Sequence, residues 1–94
     1  MKLYIFARRD KKLQAFDLPY YKREDVEHEV EGVSRGLKFV KPEERARAAD
    51  LALYYLGSFD DVKGKFDLLE EPEKLIDFED YVPSREELKN EQAA

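Results

Sequence analysis

Hydrophobic residues alternate with other residues along the first part of the chain. Residues 2–8 have apolar side chains at both alternating sets of positions, which indicates an inner β-strand. Residues 13–16 alternate again after a charged segment in which Asp10 favours a turn. The pattern therefore predicts a first β-hairpin that ends before Pro19, because proline cannot donate a ladder hydrogen bond.

Between residues 22 and 35 the apolar spacing changes to that of an amphipathic helix. Apolar residues recur at i, i+4, i+7 and i+11, namely Val26, Val30, Val33 and Leu37. Acids gather at the amino-terminal end and Arg35 falls in the last turn, as the helix macrodipole favours. Gly36 is placed for a left-handed C-cap, and Pro42 for the first position of a second, short helical turn.

A second hairpin is predicted from two aromatic-rich segments, residues 52–59 and 65–69. The five residues between them fit a type I turn followed by Gly64 in the left-handed region. Pro72 is expected to end the second strand, and the apolar residues that follow it are expected to lie over a sheet edge. Ser84 and Glu87 match a capping box.

The order strand, strand, helix, strand, strand predicts an α+β fold, in which one helix packs on one face of a small antiparallel sheet. We expect residues 1–83 to form a single domain and residues 84–94 to form a short helical or frayed tail. One helix covers only one side of a sheet, whereas the first strand is apolar on both sides. Three residues are therefore candidates for contact with the C-terminal segment, a second subunit or a ligand: Tyr4, Phe6 and Tyr54.

Composition and charge restrict the possible functions. The chain has 94 residues, no cysteine and a net charge of −5. Disulfides, thiolate zinc sites and cysteine nucleophiles are excluded, and residues 1–12 lack the apolar length of a signal peptide or membrane span, so we expect a soluble intracellular protein. Acidity opposes general nucleic-acid binding, but residues 1–48 carry 12 basic and 9 acidic side chains, against 5 and 13 in residues 49–94.

The residue patterns do not indicate catalysis or a metal site. Asp60, Asp61 and Asp67 are oxygen donors, but their spacing around Gly64 does not match a calcium loop and is typical of a turn. His28 is the single histidine, and it is predicted to be a solvated helix residue, since a general base needs an oriented partner and a nucleophile. We therefore predict no enzyme, no cofactor and no metal; the alternative is a metal-dependent nuclease using Asp60 and Asp67.

Cations that alternate with aromatic rings form the candidate binding site. Proteins that bind single strands combine positive charges for phosphates with rings on which bases stack. The candidate nucleic-acid-binding residues are Arg8, Arg9, Lys11, Lys12, Lys22 and Arg23. The alternative interpretation is that charged hairpin tips are solvated edges that prevent aggregation, and that the tyrosines belong to the core or to a dimer interface.

Two segments carry a resemblance to a known family. They are the opening "MKLYIFARRDKKLQAF" and, above all, "DLALYYLGSFDDVKGKFDLLEEPEKLI". In the second segment an aromatic strand, a glycine-containing turn and an acidic segment bounded by proline follow one another in the same order as in the family. On these segments the chain resembles the small non-structural protein of gokushoviruses, the Microviridae branch of single-stranded DNA phages, over residues 1–78. It departs from that family in "EGVSRGLKFVKPEERARAAD", which is longer and more basic.

The resemblance implies a non-virion factor in the host cytoplasm that assists the change from duplex replication to single-stranded genome synthesis and packaging. Such a role implies contact with single-stranded DNA or with phage or host replication proteins, and no catalytic residue is carried over. The alternative hypothesis is an acidic, homodimeric protein-interaction module, an adaptor or inhibitor, that makes no direct contact with nucleic acid. The excess of acids in residues 49–94 motivates it.

Overall fold

The structure is a computed structural model that describes residues 1–83, which form a five-stranded antiparallel sheet and two helices. The strands are β1 (Lys2–Asp10), β2 (Ala15–Phe16), β3 (Tyr20–Lys22), β4 (Leu51–Asp60) and β5 (Lys65–Asp77). The helices are α1 (Val26–Leu37) and α2 (Arg45–Ala49), and single 3₁₀ turns span Pro42–Glu44 and Phe78–Asp80. The α+β class with an antiparallel sheet is confirmed; β3 is an addition, and α2 continues the short helical turn predicted to start near Pro42. The predicted tail and its capping box lie outside the described residues.

Strand β1 is at the centre of the sheet. Strands β2 and β3 pair with one of its edges, β4 pairs with the other, and β5 pairs with β4. Strand β5 is therefore an edge strand. It continues through Pro72, which corrects the prediction that this proline ends the strand. An edge strand tolerates proline because one side of its backbone has no partner, and the register shifts here between Tyr55 and Gly57. Within residues 1–83, no helix has the length and apolarity needed to cross a bilayer.

Local hydrogen bonds shape the turn between β4 and β5 as the sequence predicts. Asp60 Oδ1 accepts the backbone N–H groups of Val62 at 3.0 Å and Lys63 at 3.1 Å. Gly64 has φ of 67°, in the left-handed region that glycine adopts without a steric penalty. The predicted hairpin is thus confirmed, and the Asp60 carboxylate stabilises the turn by accepting these two hydrogen bonds.

Helix α1 begins where Asp25 caps it. The Asp25 carboxylate accepts the backbone N–H of His28 at 2.9 Å, which satisfies one of the free donors of the first turn. At the other end the predicted cap is wrong, because Gly36 stays inside the helix and Lys38 takes the C-cap position with right-handed φ and ψ. Leu37 is buried in the core, so packing extends the helix past the glycine.

We expect Asp25→Ala to lower the free energy of unfolding by about 1 kcal/mol, the usual effect of losing an N-cap side chain. Urea denaturation followed by circular dichroism measures it. The control is Glu24→Ala at the neighbouring exposed acid, where the change should stay within about 0.5 kcal/mol. Equal effects of the two substitutions would contradict the cap.

The hydrophobic core lies between the sheet and its helical cover. Its buried residues are Phe6, Leu37, Leu53, Ile76, Phe78 and Val82, and the valines of α1 pack against them. Three of these residues come from the segment after Pro72, so that segment is part of the core, as its apolar pattern suggested. Tyr20 joins β3 to α1, because its hydroxyl donates a 2.6 Å hydrogen bond to Glu29 Oε2. Burial raises the pKa of Tyr20, and the bond to Glu29 raises it further.

Tyr4 and Phe6 lie on the side of β1 that faces the core, where the segment after Pro72 supplies Ile76, Phe78 and Val82. Phe6 has no exposed surface and lies 5.8 Å from the Tyr55 ring and 5.7 Å from the Tyr20 ring, measured between ring centroids. Tyr4 packs against the same cluster. Of the three candidate interface residues, only Tyr54 therefore lies on the face opposite α1.

Candidate nucleic-acid interface

The face of the sheet opposite α1 carries five aromatic side chains, and we call it the aromatic face. Residues that pair directly across antiparallel strands point to the same side of the sheet. Leu3 pairs with Phe59, which pairs with Phe66, and Ile5 pairs with Tyr21. Ala7 pairs with Tyr54 and Arg9 pairs with Phe16, so Tyr54 and Phe16 also lie on this side. The aromatic residues of the face are Phe16, Tyr21, Tyr54, Phe59 and Phe66.

The rings on one end of this face form a cluster with an arginine, here called the basic platform. Phe16 and Tyr54 meet edge to face with ring centroids 5.1 Å apart. The guanidinium carbon of Arg9 lies 5.7 Å from the centroid of the Phe16 ring, within the range of a cation–π contact. Phe16 remains 44% exposed, so the cluster offers an accessible ring beside a positive charge.

The rings on the other end form a second cluster, here called the apolar platform. The centroid of Phe59 lies 4.7 Å from that of Phe66 and 6.4 Å from that of Tyr21. Phe66 is 57% exposed and Tyr21 is 47% exposed. Exposed rings grouped in this way are typical of an interaction surface.

A pair of lysines and one carboxylate lie next to the basic platform. Lys74 pairs with Tyr54 across the strands, and Asp77 pairs with Ala52. The Asp77 carboxylate contacts Lys74 Nζ at 2.5 Å and Lys11 Nζ at 3.3 Å. The hydrogen bond from Lys74 lowers the pKa of Asp77, and Lys11 lowers it further. Lys11 Nζ also lies 4.0 Å from Glu79 Oε2, so three cations, including Arg9, accompany two acids and leave this end of the face with one positive charge.

Helix α1 places a group of acids on the side of the sheet opposite the aromatic face. Helix α1 and the residue before it hold four acids, Asp25, Glu27, Glu29 and Glu31. On the aromatic face, by contrast, strand pairing within residues 1–83 assigns one acid, Asp77, to that side. The acids of α1 are therefore separated from the basic platform by the sheet.

The ion pairs of Asp77 predict a pH dependence of stability. Because the pKa of Asp77 is lower in the folded chain than its usual 3.8, its contribution is complete above about pH 4 and is lost as the pH falls through the folded value. We expect the stability difference between the wild type and Asp77→Asn to shrink between about pH 5 and about pH 2. Urea denaturation across this range measures it. Asp67→Asn, at an exposed acid on the helix-covered side, is the control, and an identical pH profile for both variants would contradict the assignment.

The structure separates the six candidate cations of the sequence. Arg9 and Lys11 belong to the basic platform and its lysine pair. Arg8 lies on the helix-covered side, 3.6 Å from Asp17, and Lys22 pairs with Tyr4 on that same side.

The other two candidate cations lie at different ends of the molecule. Lys12 is in the turn after β1, where its backbone N–H binds Asp10. Arg23 lies near the opposite end, where the pKa of Asp61 is lowered chiefly by the Met1 ammonium group and also by Arg23. The six cations therefore do not form one patch.

Lys74 is the residue that the sequence did not reveal. It reaches the basic platform because the pairing of β4 with β5 shifts register twice, between Leu53 and Tyr54 and between Tyr55 and Gly57. Register shifts depend on contacts between distant residues and leave no periodic signal in the chain. The one available signal was a lysine in the otherwise acidic segment 70–80.

Gly57 lies between the two platforms at a close approach of two strands. Its φ is 141°, and a Cβ atom there would lie 2.4 Å from the carbonyl oxygen of Asp67. The surface between the two platforms, here called the floor, is formed by Gly57 and by buried residues of β1 and β4. Ile5 is 3% exposed, Ala7 is 1% exposed and Ala52 is 0% exposed. The side chains of these floor residues therefore do not project between the two platforms.

The acids considered for a metal site lie away from the aromatic face. Asp60 pairs with Lys2, and Asp67 pairs with Ser58, both on the helix-covered side. In the part of the chain that the structure describes, no group of three or more histidine or carboxylate residues is arranged to hold a metal ion. His28 is exposed on α1, as predicted.

Comparison with known proteins gives a match over most of the chain. The model of the Phage ORF5 protein family matches residues 3–81. No curated protein and no solved structure matches. The matched residues include β2 to β5, all of β1 except Lys2, and both platforms of the aromatic face.

Proposed function

Since this chain belongs to the Phage ORF5 protein family, we propose that it is a non-enzymatic phage protein that binds single-stranded DNA on its aromatic face. Its role in this proposal is to assist the synthesis or packaging of a single-stranded genome in the host cytoplasm. The resemblance of its two hairpin segments to the gokushovirus non-structural protein supports that role. The family membership supports a phage origin.

The observation that carries the proposal is the basic platform. Single-strand binders pair aromatic rings, on which any base can stack, with cations that follow the phosphates. Phe16 and Tyr54 supply accessible rings, and Arg9 adds a guanidinium whose five N–H donors suit a phosphate. Lys11 and Lys74 are paired with the carboxylates of Asp77 and Glu79, so Arg9 supplies the positive charge that these acids leave unbalanced.

The acidic composition predicts modest affinity with a clear salt dependence. Each phosphate contacted on a single strand contributes a slope of about 0.7 to the plot of log affinity against log salt. Contacts from Arg9, Lys11 and Lys74 would therefore give a total slope of about 2. Long-range repulsion from the acids of α1 is screened at distances beyond a Debye length, about 10 Å at 0.1 M salt.

We expect Phe16→Ala and Arg9→Ala each to weaken binding of a twelve-nucleotide oligothymidine by about fivefold or more, because each removes a stacking or phosphate contact. Fluorescence anisotropy at low salt measures the affinity. The matched controls are Phe39→Ala, at a ring 80% exposed outside the aromatic face, and Lys41→Ala, at an exposed lysine next to it. Equal losses in the controls, or no binding by the wild type at low salt, would overturn the proposal.

Asp77→Asn should tighten binding to the same oligonucleotide. Removing the carboxylate frees Lys11 and Lys74 for phosphates and raises the local charge by one. We expect a gain of about fivefold at low salt that disappears at high salt, since it is electrostatic. Anisotropy at several salt concentrations tests it. A loss of affinity with retained fold would place the DNA away from these lysines.

The second candidate function is the homodimeric protein-interaction module. It is favoured by the apolar platform, where Phe66 is more than half exposed, and by the exposed Leu68, which pairs with Gly57 on the same face. Sedimentation equilibrium distinguishes it. A stable dimer that Phe66→Glu dissociates, together with no oligonucleotide binding at low salt, would replace the first proposal with this one.

A further inference from the structure

The geometry points to a longer contact than the basic platform alone, and this inference rests on the proposed function. We propose that a single strand lies along the direction of β1, with bases on both platforms. Full contact then requires about six nucleotides, by the spacing of phosphates along one strand.

The distance between the platforms sets this length. Arg9, which pairs with Phe16, and Leu3, which pairs with Phe59, are six residues apart on β1. At about 3.3 Å per residue, the two positions are separated by about 20 Å. Successive phosphates of one strand in a B-form helix are about 3.4 Å apart along the axis, which gives about six nucleotides, and an extended strand needs fewer.

The surface between the platforms suits a continuous strand. The floor residues, among them Ile5, Ala7 and Gly57, are almost fully buried and carry no charge. At Gly57 a Cβ atom cannot be accommodated, so β4 and β5 stay close together there. A backbone that leaves the basic platform can therefore cross this floor without meeting a charged side chain before it reaches Phe66 and Tyr21.

Continuity and charge favour nucleic acid over a second copy of the chain as the occupant. Both platforms lie on one face, and that face is continuous along β1 and β4. Asp77, the acid assigned to this face by strand pairing within residues 1–83, contacts two lysines. A polyanion thus meets its cations at one end of the face and additional stacking rings at the other.

Two oligothymidines, of two and twelve nucleotides, test the footprint by amide chemical-shift titration. The short one should occupy only the basic platform, so Phe16→Ala should weaken both by about fivefold or more, whereas Phe66→Ala should weaken only the long one. Phe66→Tyr, which keeps a ring, should retain the wild-type affinity. Phe39→Ala is the control that should change neither affinity.

The other outcomes separate the two proposals. If Phe16→Ala weakens both oligonucleotides and Phe66→Ala weakens neither, the footprint is wrong and the proposed function stands. If Phe66→Ala instead dissociates a dimer without changing the affinity for the long oligonucleotide, the apolar platform is a contact between copies and the footprint is also overturned. If neither oligonucleotide binds the wild type at low salt, the proposed function itself fails.

Discussion

Replacing Gly57 by alanine is expected to lower the free energy of unfolding by more than about 3 kcal/mol, a large part of the 5–15 kcal/mol typical of a small domain. The new Cβ would lie 2.4 Å from the carbonyl oxygen of Asp67 and 2.7 Å from the Cα of Leu68. Both are backbone atoms of β5, so no rotamer change relieves the contact. The φ of 141° adds strain of about 1–3 kcal/mol for a residue with a side chain.

Urea denaturation of Gly57→Ala measures this effect, and two helical glycines provide the control. At Gly32 and Gly36 an added Cβ would meet no atom within 4 Å, and neither has a positive φ. Alanine there should raise stability by up to about 1 kcal/mol, because it is the better helix former. A Gly57→Ala variant as stable as the wild type would show that β4 and β5 do not approach as described.

Phe6→Ala is expected to cost about 3–5 kcal/mol, the usual range for removing a large aromatic side chain from a core. Phe6 has no exposed surface and packs on the rings of Tyr20 and Tyr55. The neighbouring structure relaxes only partly around the cavity, so the lost contacts are not recovered.

The matched comparison for Phe6→Ala is the same change at Phe66, a ring on the opposite face that is 57% exposed. That substitution should cost less than about 1.5 kcal/mol, because much of the ring already contacts water. Thermal or urea denaturation of the two variants decides which face of the sheet the helix covers. A larger loss at Phe66 than at Phe6 would reverse the assignment.

Features determined by local chemistry could be predicted from the sequence. Asp60 and Gly64 shape their turn through contacts within a few residues, and the valines of α1 repeat with the helical period. Pro42 begins a short helical turn for the same kind of reason. In each case the residues that determine the structure are close together in the chain.

Features that depend on distant contacts could not be predicted. Alternation along β1 shows that both its faces are apolar, but which face receives α1 depends on the joint packing of Phe6, Tyr20 and Tyr55. Gly36 stays helical because Leu37 enters the core. Likewise, the basic platform combines residues of β1, β2 and β4 and lies beside Lys74 of β5, and the bulges that align this lysine are not visible in a single sequence.

Strand β5 leaves one row of its backbone groups open, and such a row can extend a sheet by recruiting an identical chain into a fibre. Pro72 removes one donor from this strand, and Glu70, Glu71 and Glu73 are exposed around it. Like charges brought into register by such stacking repel one another. Part of the acidity that counts against nucleic-acid binding thus opposes the edge-to-edge association of folded chains.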